Sequence, residues 1–159
     1  MTTTTYDCSR LVDINHAFLR LPAFRVLLFD NDGDSELTRV ADEMWKVMYA
    51  EKGIGLAAPQ VGVPLALAVI DCEGFKDVLV NPTVVKRKGE RLCFEGCLSL
   101  PGQRFPVRRA KNIEVEYQTL SGETKTIRAR KSVLAQCLEH ETDHLGGVLI
   151  DGRNRNGTS

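Results

Sequence analysis

The stretch LEHETDHLGG, residues 138–147, constrains this chain more than any other part of its sequence. It contains His140, Glu141 and His144 in the H-E-x-x-H spacing, which places all three on one face of a helix. Apolar residues share that face, so we expect both imidazoles to point inward. Two histidines one turn apart can bind one metal ion, with Glu141 beside it. A metal-free polar cluster is the alternative, and it is disfavoured because such a cluster is costly in an apolar core.

A catalytic metal needs a third protein ligand, and we expect it upstream of this helix. Position 150 is Ile and few residues follow, so no downstream ligand is expected. The segment GERLCFEGCLSLP, residues 89–101, offers two carboxylates and two thiols. These candidates are Glu90, Cys93, Glu95 and Cys97. Strand alternation puts the last three on one side, so periodicity leaves the choice among them open.

Composition favours one globular domain. The length of 159 residues and a hydrophobic fraction of 43% suit a single core, so we expect one catalytic domain over 1–159, disordered at 1–10 and 152–159. The 21 basic and 21 acidic residues balance, which argues against a nucleic-acid footprint over the whole domain but not against a local patch. We therefore expect no specific nucleic-acid partner.

Targeting signals are not evident in the sequence. No apolar run reaches the roughly 20 residues that cross a bilayer, so no membrane partner is expected. The N-terminus lacks the basic and apolar regions of a secretory signal. The odd number of cysteines, five, favours free thiols or ligands over disulfides. We expect a cytoplasmic protein.

The hydrophobic pattern predicts an α+β fold. Apolar residues at three- and four-residue spacing predict an N-terminal amphipathic helix over 35–52, capped by Asp34 or Ser35. A second helix, over 132–145, carries the H-E-x-x-H residues. Because the intervening strands follow one another without helices, we expect antiparallel strands packed around this central helix. The strands are predicted at 24–30, 65–72, 77–85, 91–100, 112–120 and 124–130.

Three motifs, in this order, resemble the signatures of peptide deformylases. They are GIGLAAPQ at 53–60, EGCLS at 95–99 and HETDH at 140–144. The resemblance covers about residues 35–150, and the three motifs in order are far more specific than any one alone. It implies that Cys97, His140 and His144 are the metal ligands and that Glu141 is the general acid and base. Fe²⁺ is the implied native ion, with Zn²⁺, Ni²⁺ or Co²⁺ as substitutes.

The resemblance also implies the reaction and the residues around the substrate. The reaction is hydrolysis of the N-formyl group from the formylmethionine of newly made polypeptides, releasing formate, so formylmethionyl peptides and nascent chains are the implied partners. The side-chain amide of Gln60 and the backbone N–H of Leu98 would stabilise the oxyanion. Residues that would line the substrate groove are Ile54, Gly55 and Leu56, with Cys93, Phe94 and Cys137 as further candidates.

Some features depart from the family pattern. Glu139 stands where the family usually has Gln, and its carboxylate either lies near the metal or faces solvent. Asp143 either orients the site or lies on the helix surface. The chain lacks the further C-terminal helix that is associated with ribosome docking, so we do not expect docking, and a phage-like form is one interpretation. The alternative functions are a deformylase-like metal-binding protein without turnover, and an amide hydrolase or peptidase with another substrate.

Overall fold

The structure, a computed structural model, describes residues 5–27, 29 and 35–153. Five strands form one antiparallel sheet in chain order, which confirms the predicted α+β class. The strands are β1 (Gly55–Ala57), β2 (Leu67–Cys72), β3 (Phe75–Cys97), β4 (Leu100–Gln118) and β5 (Thr124–Arg130). The helices in the described ranges are α1 (Glu36–Ala50), α2 (Val133–Leu145) and α3 (Ile150–Arg153), and short 3₁₀ turns lie at Ala17–Arg20 and Ala58–Val61.

Strands β3 and β4 form one long hairpin, whereas the sequence pattern predicts several shorter strands in the same part of the chain. The strands predicted at 77–85 and 91–100 belong largely to β3, because the charged segment between them stays paired instead of turning. Lys88, for example, lies opposite Asn112. A register shift after Val84 and a φ of +68° at Gly89 let the strand bend here, and that left-handed φ favours glycine. At the turn that closes the hairpin, Cys97 lies opposite Leu100.

Ser35 is the N-cap of helix α1, and its hydroxyl accepts hydrogen bonds from the N–H groups of Leu37 (3.2 Å) and Thr38 (3.4 Å). The other predicted cap, Asp34, lies outside the described residues. The buried face of α1 packs in a cluster with β1, β2 and β3. That face consists of Leu37, Val40, Ala41, Met44, Val47 and Met48.

Helix α2 follows the end of β5 directly. Its N-cap is Ser132, whose hydroxyl accepts a hydrogen bond from the Ala135 N–H at 3.1 Å. The carboxylate of Glu73, at the β2–β3 turn, accepts a second one from the Leu134 N–H at 2.8 Å. Both interactions satisfy N–H groups that a helix start leaves unpaired, so α2 is fixed at the end that enters the core. Its apolar residues pack against β2, β3, β4 and β5.

The N-terminal segment differs from expectation. Within the predicted strand 24–30, Phe24 makes one isolated bridge with Leu65 and its side chain is 69% exposed, while residues 28 and 30 lie outside the described ranges. Of the ranges expected to be disordered, 1–10 and 152–159, residues 1–4 and 154–159 lie outside the described residues. Within the described part, Cys8 is buried in the α1 cluster and Gly152 lies in α3. None of the helices in the described ranges is long and apolar enough to cross a bilayer.

Candidate active site

Three side chains from two elements meet at the base of a pocket. Helix α2 places the Nε2 atoms of His140 and His144 3.1 Å apart. The β3–β4 hairpin brings the Sγ of Cys97 to 3.3 Å from Nε2 of His144. The ligand atoms of all three residues lie within 4.8 Å of one another, close enough to bind one ion. One thiolate and two imidazoles form a donor set that suits Fe²⁺ or Zn²⁺.

The other candidates for the third ligand lie elsewhere. The Glu90 carboxylate is exposed and accepts a hydrogen bond from Arg108 at 2.8 Å. Cys93 is buried, and it does not belong to the group of three. Glu95 lies behind His140, where its Oε2 is 3.0 Å from Nδ1 of that imidazole. Glu95 therefore contacts a candidate ligand from the side opposite the metal-facing nitrogen.

Arg109 of β4 organises the charges behind the candidate ligands. Its guanidinium is fully buried and donates to both carboxylate oxygens of Glu95, at 2.8 and 2.7 Å. A third nitrogen donates to Asp143 at 2.6 Å. Such a fork holds Glu95 in one orientation, and Glu95 in turn orients the ring of His140. Asp143 thus orients this network, which was one of the two roles considered for it.

The Glu95 carboxylate remains charged despite its burial. Burial opposes ionisation, but hydrogen bonds from Arg109 and His140 outweigh it and lower the pKa of Glu95 to about 2. A charged acceptor at Nδ1 fixes the tautomer of His140, leaving Nε2 as the free ligand atom.

Glu141 faces the same space from the neighbouring helix position. Its side chain is 5% exposed, and Oε2 has no hydrogen-bond partner among the described residues. Burial raises the pKa of Glu141 to about 7. A buried carboxyl oxygen without a partner needs a ligand or water to satisfy it, and a pKa near neutrality suits proton transfer.

Glycine is required at position 55 by the closeness of α2. A Cβ on Gly55 would lie 2.6 Å from the Sγ of Cys137 and 2.6 Å from the Oε1 of Glu141. Both distances are far below van der Waals contact. Strand β1 can therefore approach Glu141 only with glycine at this position.

The Gln60 side chain is fixed at both ends. Its Oε1 accepts a hydrogen bond from the Ala57 N–H at 2.9 Å, and its Nε2 donates to the Ser99 hydroxyl at 3.0 Å. Nε2 also lies 3.7 Å from Sγ of Cys97. The amide N–H₂ group of this buried residue is thus directed toward the candidate ligands.

Comparisons with known proteins agree with this geometry. The family model for polypeptide deformylase matches residues 8–157. The chain belongs to the peptide deformylase family. Members of this family are metal-dependent hydrolases that remove the N-formyl group from formylated polypeptides.

Individual relatives cover most of the chain. Peptide deformylase of Dictyoglomus thermophilum is 46% identical over 117 residues, which are 74% of this chain and 76% of the relative. The crystal structure of a Synechococcus elongatus peptide deformylase in complex with actinonin is 38% identical with a TM-score of 0.82, covering 96% of this chain and 81% of the other. Peptide deformylase from Thermotoga maritima is 34% identical with a TM-score of 0.84, covering 91% and 96%.

A pocket of about 600 Å³ opens above the metal-ligand group of this deformylase fold. Its lining includes Ile54 and Gly55 at the start of β1, Phe94 and Leu98 from the β3–β4 hairpin, and Cys137 from α2. Apolar groups therefore form much of its surface beside the polar base. The pocket has room for a peptide N-terminus.

Two residues expected in the groove do not line it. The side chain of Leu56 is fully buried in the cluster around α1, because alternation along β1 turns it away from Gly55. Cys93 is also buried and lies outside the pocket lining. Strand patterning alone does not tell pocket-facing from core-facing positions, and the structure places both side chains outside the pocket lining.

Sequence reasoning missed Arg109 and left Glu139 open. Arg109 shares the odd-numbered phase of Ile113, Val115 and Tyr117 on β4, so strand alternation could have indicated its burial. Glu139 lies neither near the metal-ligand group nor at the solvent-exposed surface, the two positions expected from the sequence. Its side chain is 1% exposed, and it binds the sheet rather than the metal group or solvent.

Proposed function

We propose that this chain hydrolyses the formyl amide of formylmethionyl peptides with Cys97, His140 and His144 as metal ligands and Glu141 as the proton-transfer group. One observation carries the proposal: the three ligand atoms lie within 4.8 Å beside a buried Glu141 oxygen that has no partner in the described ranges. The family's activity requires this combination of a metal and a carboxylate. We propose that 1–159 acts as one catalytic domain whose strands pack around α2.

We propose Fe²⁺ as the native ion, with Zn²⁺, Ni²⁺ or Co²⁺ as substitutes. A thiolate is a soft ligand and an imidazole an intermediate one, a combination that all four ions accept. Three protein ligands leave a coordination position open. When bound, the ion supplies Lewis acidity, which polarises an amide carbonyl and lowers the pKa of water toward neutrality.

Glu141 takes a proton from the attacking water and gives it to the departing amine. Its burial and its pKa of about 7 suit both steps, because the group must accept and then release one proton near neutral pH. The adjacent glycine at position 55 keeps the carboxylate unobstructed. The products are formate and a peptide with a free amino terminus.

Gln60 and Leu98 stabilise the negative charge that develops on the formyl oxygen. Gln60 is preorganised, because the bond from the Ala57 N–H holds its oxygen and leaves its amide N–H₂ group directed toward the Cys97 side. The backbone N–H of Leu98 follows the ligand directly along the chain. Losing one donor of this kind costs about 2.7–4 kcal/mol of transition-state stabilisation.

The pocket holds the methionine side chain of the substrate. Ile54 and Gly55 contact it from β1 and the loop before it, whereas Leu56 is excluded because its side chain lies in the core. A thioether side chain suits apolar walls such as these. We place the enzyme in the cytoplasm, where formylated chains are made.

The decisive experiment measures formate release from a formyl-Met-Ala-Ser peptide by protein loaded with Fe²⁺ or Co²⁺. Wild type is expected to release formate, and Glu141→Ala is expected to lose activity while keeping its metal. Equal inactivity of the two proteins, both with metal bound, would show a binding protein without turnover. Actinonin, present in the complex of the Synechococcus relative, should inhibit the wild type by occupying the pocket.

A further inference from the structure

The hydroxyl of Ser99 contacts one of the two groups that are proposed to stabilise the oxyanion. Ser99 is 6% exposed, and its Oγ accepts a hydrogen bond from Nε2 of Gln60 at 3.0 Å. Gln60 lines the pocket, whereas Ser99 is not among the described residues that line it. Any effect of this hydroxyl on a bound substrate is therefore exerted through Gln60.

This hydrogen bond joins two separate parts of the fold. Gln60 lies in the short 3₁₀ turn after β1, and Ser99 lies 39 positions away along the chain. The turn that closes the β3–β4 hairpin consists of Leu98 and Ser99, between the paired residues Cys97 and Leu100. Leu98 carries the other proposed oxyanion donor. The bond from Gln60 to Ser99 therefore fixes one donor relative to the other.

The orientation of the Gln60 amide follows from the chemistry of its partners. The Ala57 N–H can only donate, so the atom 2.9 Å from it must be the amide oxygen. The other end of the amide is an N–H₂ group with two hydrogens in the amide plane. Ser99 accepts one of them. The second remains available on the side of Cys97, whose Sγ lies 3.7 Å from Nε2.

We propose that Ser99 is a positioning residue that fixes the amide plane of Gln60, so that the second N–H of Gln60 and the N–H of Leu98 serve one oxyanion. This inference rests on the proposed function. A donor that is already oriented stabilises developing charge without reorganising during the reaction. Without an acceptor at position 99, the Ala57 N–H alone holds the amide, and rotation about that single hydrogen bond would misdirect the donor.

Formate release from formyl-Met-Ala-Ser by Co²⁺-loaded protein tests the proposal. Ser99→Ala should lower kcat about 10- to 100-fold and change KM less than about threefold, because Gln60 acts on charge that develops in the transition state. Ser99→Thr keeps the hydroxyl and should retain kcat within about threefold. In a Gln60→Ala background, Ser99→Ala should change kcat less than about twofold, since the effect passes through Gln60.

The matched control removes a different buried-end hydroxyl. Ser132→Ala deletes the group that accepts the Ala135 N–H at 3.1 Å at the start of α2. It should lower the urea midpoint, as the loss of a helix cap does, and leave kcat within about twofold. This control separates a loss of stability from a loss of orientation at Gln60.

Nuclear magnetic relaxation of Zn²⁺-loaded protein tests the same contact without any turnover. The order parameter of the Gln60 side-chain amide ¹⁵N should be about 0.8 or higher in the wild type and below about 0.6 in Ser99→Ala. The wild-type value is informative by itself, because a mobile Gln60 amide in the wild type would already contradict the proposal.

Other outcomes would also overturn the proposal. Wild-type kcat in Ser99→Ala, or a change confined to KM, would show that Gln60 does not need this acceptor. An equal loss in the Gln60→Ala background would show that Ser99 acts by another route. Loss of metal from Ser99→Ala would assign the hydroxyl to the Cys97 turn. Absence of formate release from the wild type would contradict the proposed function, whereas the relaxation comparison would still decide whether Ser99 orients Gln60.

Discussion

Glu139 accepts a hydrogen bond from the backbone N–H of Ala110 at 2.9 Å, joining the helix of the candidate ligands to the strand that carries Arg109. The other carboxylate oxygen accepts from Arg87 at 3.3 Å. Glu139 precedes His140, and Ala110 follows Arg109, so this contact fixes α2 to β4 next to the buried charge network. The carboxylate at this position thus joins two elements of the fold.

Glu139→Ala should destabilise the fold by about 1–3 kcal/mol, because it leaves a buried N–H group without an acceptor. Glu139→Gln keeps an acceptor oxygen and loses only the charge opposite a half-exposed Arg87, so its cost should be below about 1 kcal/mol. Urea unfolding of both variants gives the comparison. Equal destabilisation would mean that the ion pair, not the hydrogen bond, dominates.

Arg109→Met should cost about 3–5 kcal/mol in free energy of unfolding, because Glu95 and Asp143 would keep their charges in a buried place without a cation. The control is Arg128→Met, which breaks an exposed pair with Glu114 and should cost no more than about 1 kcal/mol. Denaturant unfolding of both metal-free variants measures the difference. Similar values for the two would contradict the role given to burial.

Cys97→Ser should abolish tight metal binding, because a serine hydroxyl is a much weaker ligand than a thiolate for Fe²⁺ or Zn²⁺. Cys93→Ser should keep it, since Cys93 lies outside the ligand group. Metal content after dialysis, measured by plasma mass spectrometry, distinguishes the variants. The reverse pattern would reject Cys97 as the third ligand.

Gly55→Ala should reduce kcat about 100-fold, because the added methyl group would push against the Glu141 carboxylate and displace it by part of an ångström. Metal content should not change, since the three atoms nearest to the methyl group belong to Cys137 and Glu141 rather than to the candidate ligands. Gly152→Ala is the control and should retain full activity, because a Cβ there would meet no atom of the described residues within 4 Å apart from its chain neighbours and its own helix backbone. Full activity of Gly55→Ala would show that β1 can move away from α2 at little cost.

Tyr117 should make stability depend on alkaline pH. Burial, together with a 2.7 Å hydrogen bond to Asp77, raises the pKa of this phenol. A raised folded-state pKa stabilises the fold fully below pH of about 10, and this contribution is lost as pH rises toward the folded-state value. Tyr117→Phe should cost about 1 kcal/mol at pH 8 and show a shallower loss of stability above pH 10. If the stability of the two proteins fell equally as pH rises above about 10, the pH dependence could not be assigned to Tyr117.

Local patterning predicted most elements because their signals lie within a few consecutive residues. The strand predicted at 124–130 has the observed bounds of β5, and the helix predicted at 132–145 differs from α2 only at its cap. Segment 86–90 misled the prediction, since its charges and glycine are typical of a turn. Pairing with β4 kept it in a strand, and a partner 20 residues away or more leaves no local signal.

The sequence by itself determined that two histidines and the glutamate between them share one helix face, because helical spacing alone brings such groups together. It also indicated that a third metal ligand lies upstream of that helix. Only the tertiary structure brought Cys97 to His144, since the far end of a bent hairpin decides which of several alternating side chains reaches α2. It also decided that Leu56 lies in the core, that Arg109 lies behind His140 and that Glu139 binds β4. Each of these outcomes depends on contacts between segments that are far apart in sequence, and local hydrophobic periodicity does not predict such contacts.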